Sequence, residues 1–282
     1  MKRNIKEAFA DKFIWIFLII FCVLTVVPLV FMVTASFMKA IDIMKMPYKW
    51  IPIPAYFKNY YNAIAGADHS FIYLRNILNS LIVAVAVTCT TIFLSSIVGF
   101  GLAKYRFKGC NVVFLSIMAT MMIPFETIMV PMYMVVMNLH MQNTYAGLII
   151  PFMVNAFAVF QMRQYIITFQ DDILDASRID GASEPGIFCR VVFPNSVPVI
   201  ATIAVLTFRQ QWDNLLWPLL VAQSEKMKTI PAYIVKFAAE KYADEGVMMA
   251  VAVIASIPIF ILFFCLSKYF VGGSSVYSAG KE

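Results

Sequence analysis

Polar residues interrupt an apolar stretch late in the chain, among them Arg209, Gln210, Asp213 and Asn214, and Trp217 follows one turn later. At about 100° per residue these five share one face of a helix, while Gln211 and Trp212 lie off it. Insertion scales put an Arg or Asp at a bilayer centre at ~2.5–3.5 kcal/mol each, so such a face turns toward protein or a water-filled path. Arg209 and Asp213 stand i, i+4 and can pair. Two chemistries fit: a polar staple between helices, or a lining for a hydrophilic solute whose hydroxyls meet amides and whose ring stacks on an indole. Asn155 and Gln161, in the preceding apolar stretch, are weaker members of the same lining.

A second set lies at 171–194, reading DDILDASRIDGASEPGIFCRVVFP. Asp171 or Asp172 can cap a helix N-terminus, no breaker follows through Asp180, and Gly181 suits the position just past a helix end. Ser183 can cap a second helix, with Pro185 in its first turn. The small residues Ala176, Ser177, Gly181 and Ala182 let a partner surface approach this backbone. An amphipathic connector resting on the lipid surface would read the same way, and composition leaves both readings open.

Other chemistry finds few residues. The histidines are His69 and His140, and five cysteines lie far apart without a CxxC pair. That spacing argues against a disulfide framework or zinc site, and the cysteines read as apolar packing residues. No catalytic or metal-ligating residue is assigned. No GxxxxGK[ST] phosphate loop occurs; Gly280-Lys281 is followed by Glu282. Nucleotide hydrolysis is therefore not expected of this chain. The net charge of +6 is scattered, which points away from nucleic acid and toward loop topology.

The elements that must position these residues follow from composition. The chain has 282 residues, 61% hydrophobic and 13% charged, with a mean hydropathy of +0.79. Soluble domains carry ~25% charged residues, so a water-soluble globule is excluded. At roughly 20 residues per span, the apolar runs 13–37, 77–103, 111–139, 144–162, 197–221 and 247–266 predict an all-α, polytopic protein with six transmembrane helices. The first run is too long for a signal-peptide core of ~7–15 residues. Pro124, Pro131 and Pro151 predict kinks, and Ser95, Gly99 and Ala103 offer a small-residue packing stripe. The short turn with Lys104, Arg106 and Lys108 sets the orientation, because short basic loops stay cytoplasmic. Both termini are then cytoplasmic, 38–74 lies outside along the membrane face, and 164–196 is a cytoplasmic loop. No internal repeat is evident, which disfavours a stand-alone secondary transporter.

The 164–196 loop resembles the EAA loop of ABC-importer permeases, roughly EAAxxDGA with a closing proline. Asp175-Ala176-Ser177 stands for EAA, Asp180-Gly181-Ala182 for DGA, and Pro194 for the proline. RIDGAS at 178–183, beginning with Arg178, is similar to the carbohydrate-uptake branch, the smaller permease of maltose-type importers. MMIPFETIMVPMY (121–133), NTYAGLIIPF (143–152), WDNLLWPLL (212–220), TASFMKAIDI (34–43) and KNYYNAI (58–64) resemble that family in order. Asp175 departs from its usual Glu, and Ser177 from its second Ala. The resemblance implies a type I ABC-importer permease with a cytoplasmic coupling helix between helices four and five. It divides the chain into 1–76 (tail, first helix, external segment), a permease core at 77–270 and a C-terminal tail at 271–282. It implies a second related permease, two cytoplasmic ATPase subunits holding ATP and Mg, an extracellular solute-binding protein and a sugar solute, in a bacterial plasma membrane. No cofactor is expected in this chain itself.

Overall fold

A computed structural model describes residues 5–66, 70–239 and 244–276. His69, the first four residues and 277–282, with the distal part of the expected C-terminal tail, lie outside them. The described residues form helices and irregular segments, without strands. In chain order the helices are α1 (Ile5–Ala35), α2 (Ala40–Ile43), α3 (Lys58–Ala65), α4 (Ile72–Lys104), α5 (Cys110–Thr120), α6 (Phe125–Asn138), α7 (Tyr145–Ile149) and α8 (Ala156–Ile167). They continue as α9 (Asp171–Ile179), α10 (Glu184–Ile187), α11 (Phe193–Asn195), α12 (Val197–Trp212), α13 (Leu216–Val221), α14 (Ile230–Ala239) and α15 (Glu245–Val276).

Three continuous segments are long and apolar enough to cross a bilayer: Lys12–Ala35, Ile72–Lys104 and Glu245–Tyr269. Three further crossings exist only if each bent pair is one span, so the expectation of six helices holds as three to six. The run 111–139 is not one helix but two, α5 and α6, bent by 97°. Pro124 is the physical reason: it caps α6 in an extended conformation, and a proline pushes the residue before it out of the helical region. Pro131, the other expected kink, lies inside α6. The run 144–162 breaks by 43° after the short 3-10 turn Ile150–Phe152, which holds Pro151. Thr91 of α4 donates to the Phe152 carbonyl at 3.2 Å, satisfying a group freed by that break.

The expected boundary at 76/77 falls inside α4, and the tail expected from 271 is still helix until Val276. The chain divides into two compact units, one of residues 1–73 with 234–257, the other of 74–233 with 258–282. In the first, Asn59 is fully buried and donates to the Ser36 and Met38 carbonyls at 2.9 and 2.6 Å, tying α3 to the end of α1. The second unit contains every candidate site residue. One of its cores joins Phe100 of α4, Met162 and Ile166 of α8, Leu174 of α9, Ile187 of α10 and Ile203 of α12. The small stripe on α4 serves this core: a Cβ on Gly99 would meet the Met162 Cβ at 2.9 Å, so only glycine allows α8 this close. The other core packs Val83, Val87, Val136, Leu148, Trp217 and Val221.

Candidate functional site

The segment 171–187 folds as a helix, a left-handed turn and a second helix. Gln170, not Asp171 or Asp172, is the N-cap of α9; both aspartates fall in its first turn, where they face the positive end of the helix dipole. At the other end Gly181 has φ +81°, and its N–H donates to the Arg178 carbonyl while that of Ala182 donates to Ser177, both at 3.0 Å. This double bond pattern satisfies two terminal carbonyls and needs a residue that tolerates positive φ. Ser183 caps α10 by accepting from the Gly186 N–H, with Pro185 in the first turn. Leu174 and Ile187 sink into the core from the two helices, so the corner is anchored by apolar burial rather than by its polar tip.

The tip is open. Asp175, Ala176, Asp180, Gly181, Ala182 and Pro194 are exposed, Ser177 is half-buried, and Ile179 is 87% exposed. Arg178 is the pivot of the charges. Its Nη1 donates to Asp175 Oδ1 at 2.6 Å and its Nε to Glu184 Oε1 at 2.8 Å, so one guanidinium spans both helices. Tyr105, in the turn after α4, donates its hydroxyl to Glu184 Oε2. Lys104 donates to the Phe169 carbonyl and to Asp171 Oδ1, both at 2.7 Å, holding the start of α9.

The charges follow from these contacts. The Arg178 guanidinium, then the Tyr105 hydroxyl, hold Glu184 below the usual carboxylate range. Burial first, and Glu184 second, push Tyr105 up to about 12, so it stays a donor at neutral pH. Hydrogen bonding from Lys104 lowers Asp171, and Glu184 with Asp175 raises Arg178. Lys104, Tyr105 and Glu184 lie outside the motif that marks this corner in the sequence. Local spacing carries no signal for contacts 79 residues apart, although the basic Lys104 turn was already conspicuous as a topology marker.

The second set, on α12, is partly brought together. Arg209 Nε lies 3.4 Å from Asp213 Oδ2, with side chains 69% and 53% exposed. Gln210 accepts from Asn155 Nδ2 at 3.4 Å, and Asn155 also caps α8. Gln161 is half-buried further along α8 and takes no part in that contact. Gln211 and Trp212, which lie off the polar face, are buried.

Trp217 requires correction. It is 0% exposed, its Nε1–H donates to the Gly147 carbonyl at 3.0 Å, and its ring packs against Phe125 and Phe152. It is a core pillar, not a lining residue. The helical face does not extend past Asp213, because α12 ends at Trp212 and α13 starts afresh at Leu216. Pro218 gives the reason: its ring excludes a helical carbonyl at Asn214. Asn214 instead accepts from the Trp217 N–H at 3.4 Å, in the first turn of α13.

Sequence reading also missed a strap at the other end of α4. Asn79, fully buried, donates to the Lys226 and Lys228 carbonyls at 2.9 Å each and accepts from the Tyr145 hydroxyl at 2.6 Å. Ser80 accepts from the Ile230 N–H, and Arg75 donates to Lys226. NILNS reads as an ordinary start of an apolar run, so no pattern betrayed the role. Among the described residues no group of three or more His, Cys, Asp or Glu is placed to hold a metal.

Known proteins match this chain along most of its length. The family model described as "Binding-protein-dependent transport system inner membrane component" matches residues 91–273. The arabinooligosaccharides transport system permease protein AraQ of Bacillus subtilis (strain 168) is 36% identical over 78% of this chain and 77% of its own. The sn-glycerol-3-phosphate transport system permease protein UgpE of Shigella flexneri serotype 5b (strain 8401) is 35% identical, covering 71% and 72%. A chain of a bacterial ABC transporter involved in the import of the acidic polysaccharide alginate superposes with a TM-score of 0.84 at 21% identity, over 96% of this chain and 99% of that one. Polytopic helices, the matched residues and these relatives agree, and the chain belongs to the inner-membrane permease family of binding-protein-dependent ABC transport systems.

Proposed function

We propose that this chain forms half of the translocation path of an ATP-driven importer for a sugar or oligosaccharide. A second related permease supplies the other half, an external binding protein delivers the solute, and two ATPase subunits bind ATP and Mg in the cytoplasm. The observation that carries this reading is the corner at 171–187: an exposed tip on a rigid, charge-clamped base that is rooted by Leu174 and Ile187 in the same core as α4, α8 and α12. Such an element works as a lever. A partner that grips Asp175 to Ala182 and rotates moves the packed helices with it, because cores switch between arrangements rather than deform continuously. Asp175, shorter than the family's Glu, is already held by Arg178, so backbone closeness at the small residues Ala176, Ser177, Gly181 and Ala182 dominates docking.

In the same reading, Arg209, Gln210, Asp213, Asn214 and Asn155 face the path, with Gln161 at its margin, and both termini lie in the cytoplasm. The carbohydrate names of the relatives support a sugar solute. The glycerol-phosphate relative supports a second reading, a small phosphorylated polyol, for which the exposed Arg209 is the appropriate partner. Purification of the tagged chain from membranes with its neighbouring subunits is expected to bring down an ATPase, and vesicles holding the complex to take up one solute class only with internal ATP. Uptake by the isolated chain without ATP would overturn the proposal.

A further inference from the structure

The turn from Tyr105 to Gly109, between α4 and α5, borders an open cavity of about 470 Å³. Two guanidiniums line it, Arg106 from the turn and Arg163 from α8, with the Asn111 amide beside them, and the described lining holds no carboxylate. Arg163 is fixed in place: its Nε donates to the Leu102 carbonyl at 3.2 Å, and its guanidinium stacks 4.0 Å from the Phe114 ring centroid. One edge of the fork is thereby occupied, and the terminal nitrogens remain as donors for an anion. Asp171, whose carboxylate feels the Arg106 charge, is itself paired with Lys104 at 2.7 Å. The start of α5 adds its dipole to the field: the Cys110 N–H donates to the Phe107 carbonyl, and Gly109 at the cap offers no side-chain acceptor to the others.

Next to this polar cavity, α5 presents apolar side chains: Val112 is 66% and Leu115 63% exposed. A cationic cavity beside an apolar ribbon matches an amphiphile better than a soluble anion. We propose that the cavity holds the phosphate headgroup of an anionic phospholipid, with its acyl chains along α5. This rests on the reading above that the turn sits at the cytoplasmic membrane surface, where basic pockets between helices meet anionic headgroups.

The test is native mass spectrometry of the full chain in detergent with phosphatidylglycerol or phosphatidylcholine added, and a parallel arm with inorganic phosphate as competitor. Phosphatidylglycerol is expected to be retained over phosphatidylcholine. Arg106→Ala should weaken that retention about fivefold, and the further change Arg163→Ala about thirtyfold in total. Arg163 also supports the packing of α8, so the decisive variant is Arg106→Glu, in an exposed turn, checked for an unchanged melting temperature. Loss of phosphatidylglycerol selectivity in that variant supports the proposal. Unchanged retention, or equal retention of phosphatidylcholine, overturns it, and displacement by millimolar inorganic phosphate would reassign the cavity to a soluble anion. Binding in detergent needs no ATPase, so failure here and failure of the importer reading are separately visible.

Discussion

Replacing Gly181 by asparagine, alanine and valine in turn separates backbone geometry from added bulk at the docking tip. A Cβ built on Gly181 meets nothing within 4 Å, so the β-carbon itself has room. What changes is the intrinsic cost of φ +81° for a side-chain-bearing residue, roughly 1–2 kcal/mol, larger for a β-branched one. At 1.4 kcal/mol per factor of ten, the closed corner falls about 5–30-fold relative to alternatives that lose the Gly181–Arg178 and Ala182–Ser177 bonds. Leu174 and Ile187 remain buried in every case, so the melting temperature of the chain should move little. The assay is co-purification of the ATPase from membranes and solute-stimulated hydrolysis, compared across Gly181→Asn, Gly181→Ala and Gly181→Val. Asparagine tolerates the left-handed region, so loss should follow Asn < Ala < Val. Wild-type docking in Gly181→Val would refute the corner as the docking element. Equal loss with Asn and Val would refute left-handed geometry as its cause.

Four other outcomes are expected. Glu184→Gln keeps the shape of the corner but removes its charge; because Glu184 is partly exposed, screening limits the stability change to about 1 kcal/mol or less. With Glu184 titrating below its unfolded value, the native charge contribution is complete above the unfolded pKa and fades as pH falls through the lower folded one; hydrogen exchange at 171–187 should show this acid dependence in the native chain and not in Glu184→Gln. Trp217→Phe leaves the Gly147 carbonyl without its donor and should cost about 1–3 kcal/mol, read as a lower melting temperature in detergent. Asn79→Ala removes the buried amide that ties the Lys226 and Lys228 carbonyls together, leaving Arg75 on Lys226, and should make the Lys226 and Lys228 bonds faster trypsin targets without cleavage elsewhere. In a background lacking the five native cysteines, Asn214→Cys should react with a hydrophilic maleimide in a nucleotide-dependent way and Trp217→Cys should not; the reverse pattern would return Trp217 to the path.

What the sequence determined by itself was what short-range physics decides. Apolar runs long enough for a bilayer, the basic turn at Lys104, Gly181 at a left-handed helix end and Ser183 as a cap each depend on a few neighbouring residues. The i, i+4 pair of Arg209 and Asp213 is of the same kind. Tertiary structure decided the rest, wherever the partner is distant in the chain. Arg178 meets Asp175 within one helical turn, but it becomes a clamp only because Glu184 of the next helix joins it while Tyr105 arrives from another segment. Trp217 leaves the polar face because Pro218 breaks the helix and the new direction buries the indole beneath the Gly147 carbonyl. Asn79 straps a loop some 150 residues away because α4 carries it beside those carbonyls. Periodicity assigns a residue to a helix and a face only while that helix continues. Where a proline ends it, or a buried amide meets a remote carbonyl, packing alone sets what each side chain touches.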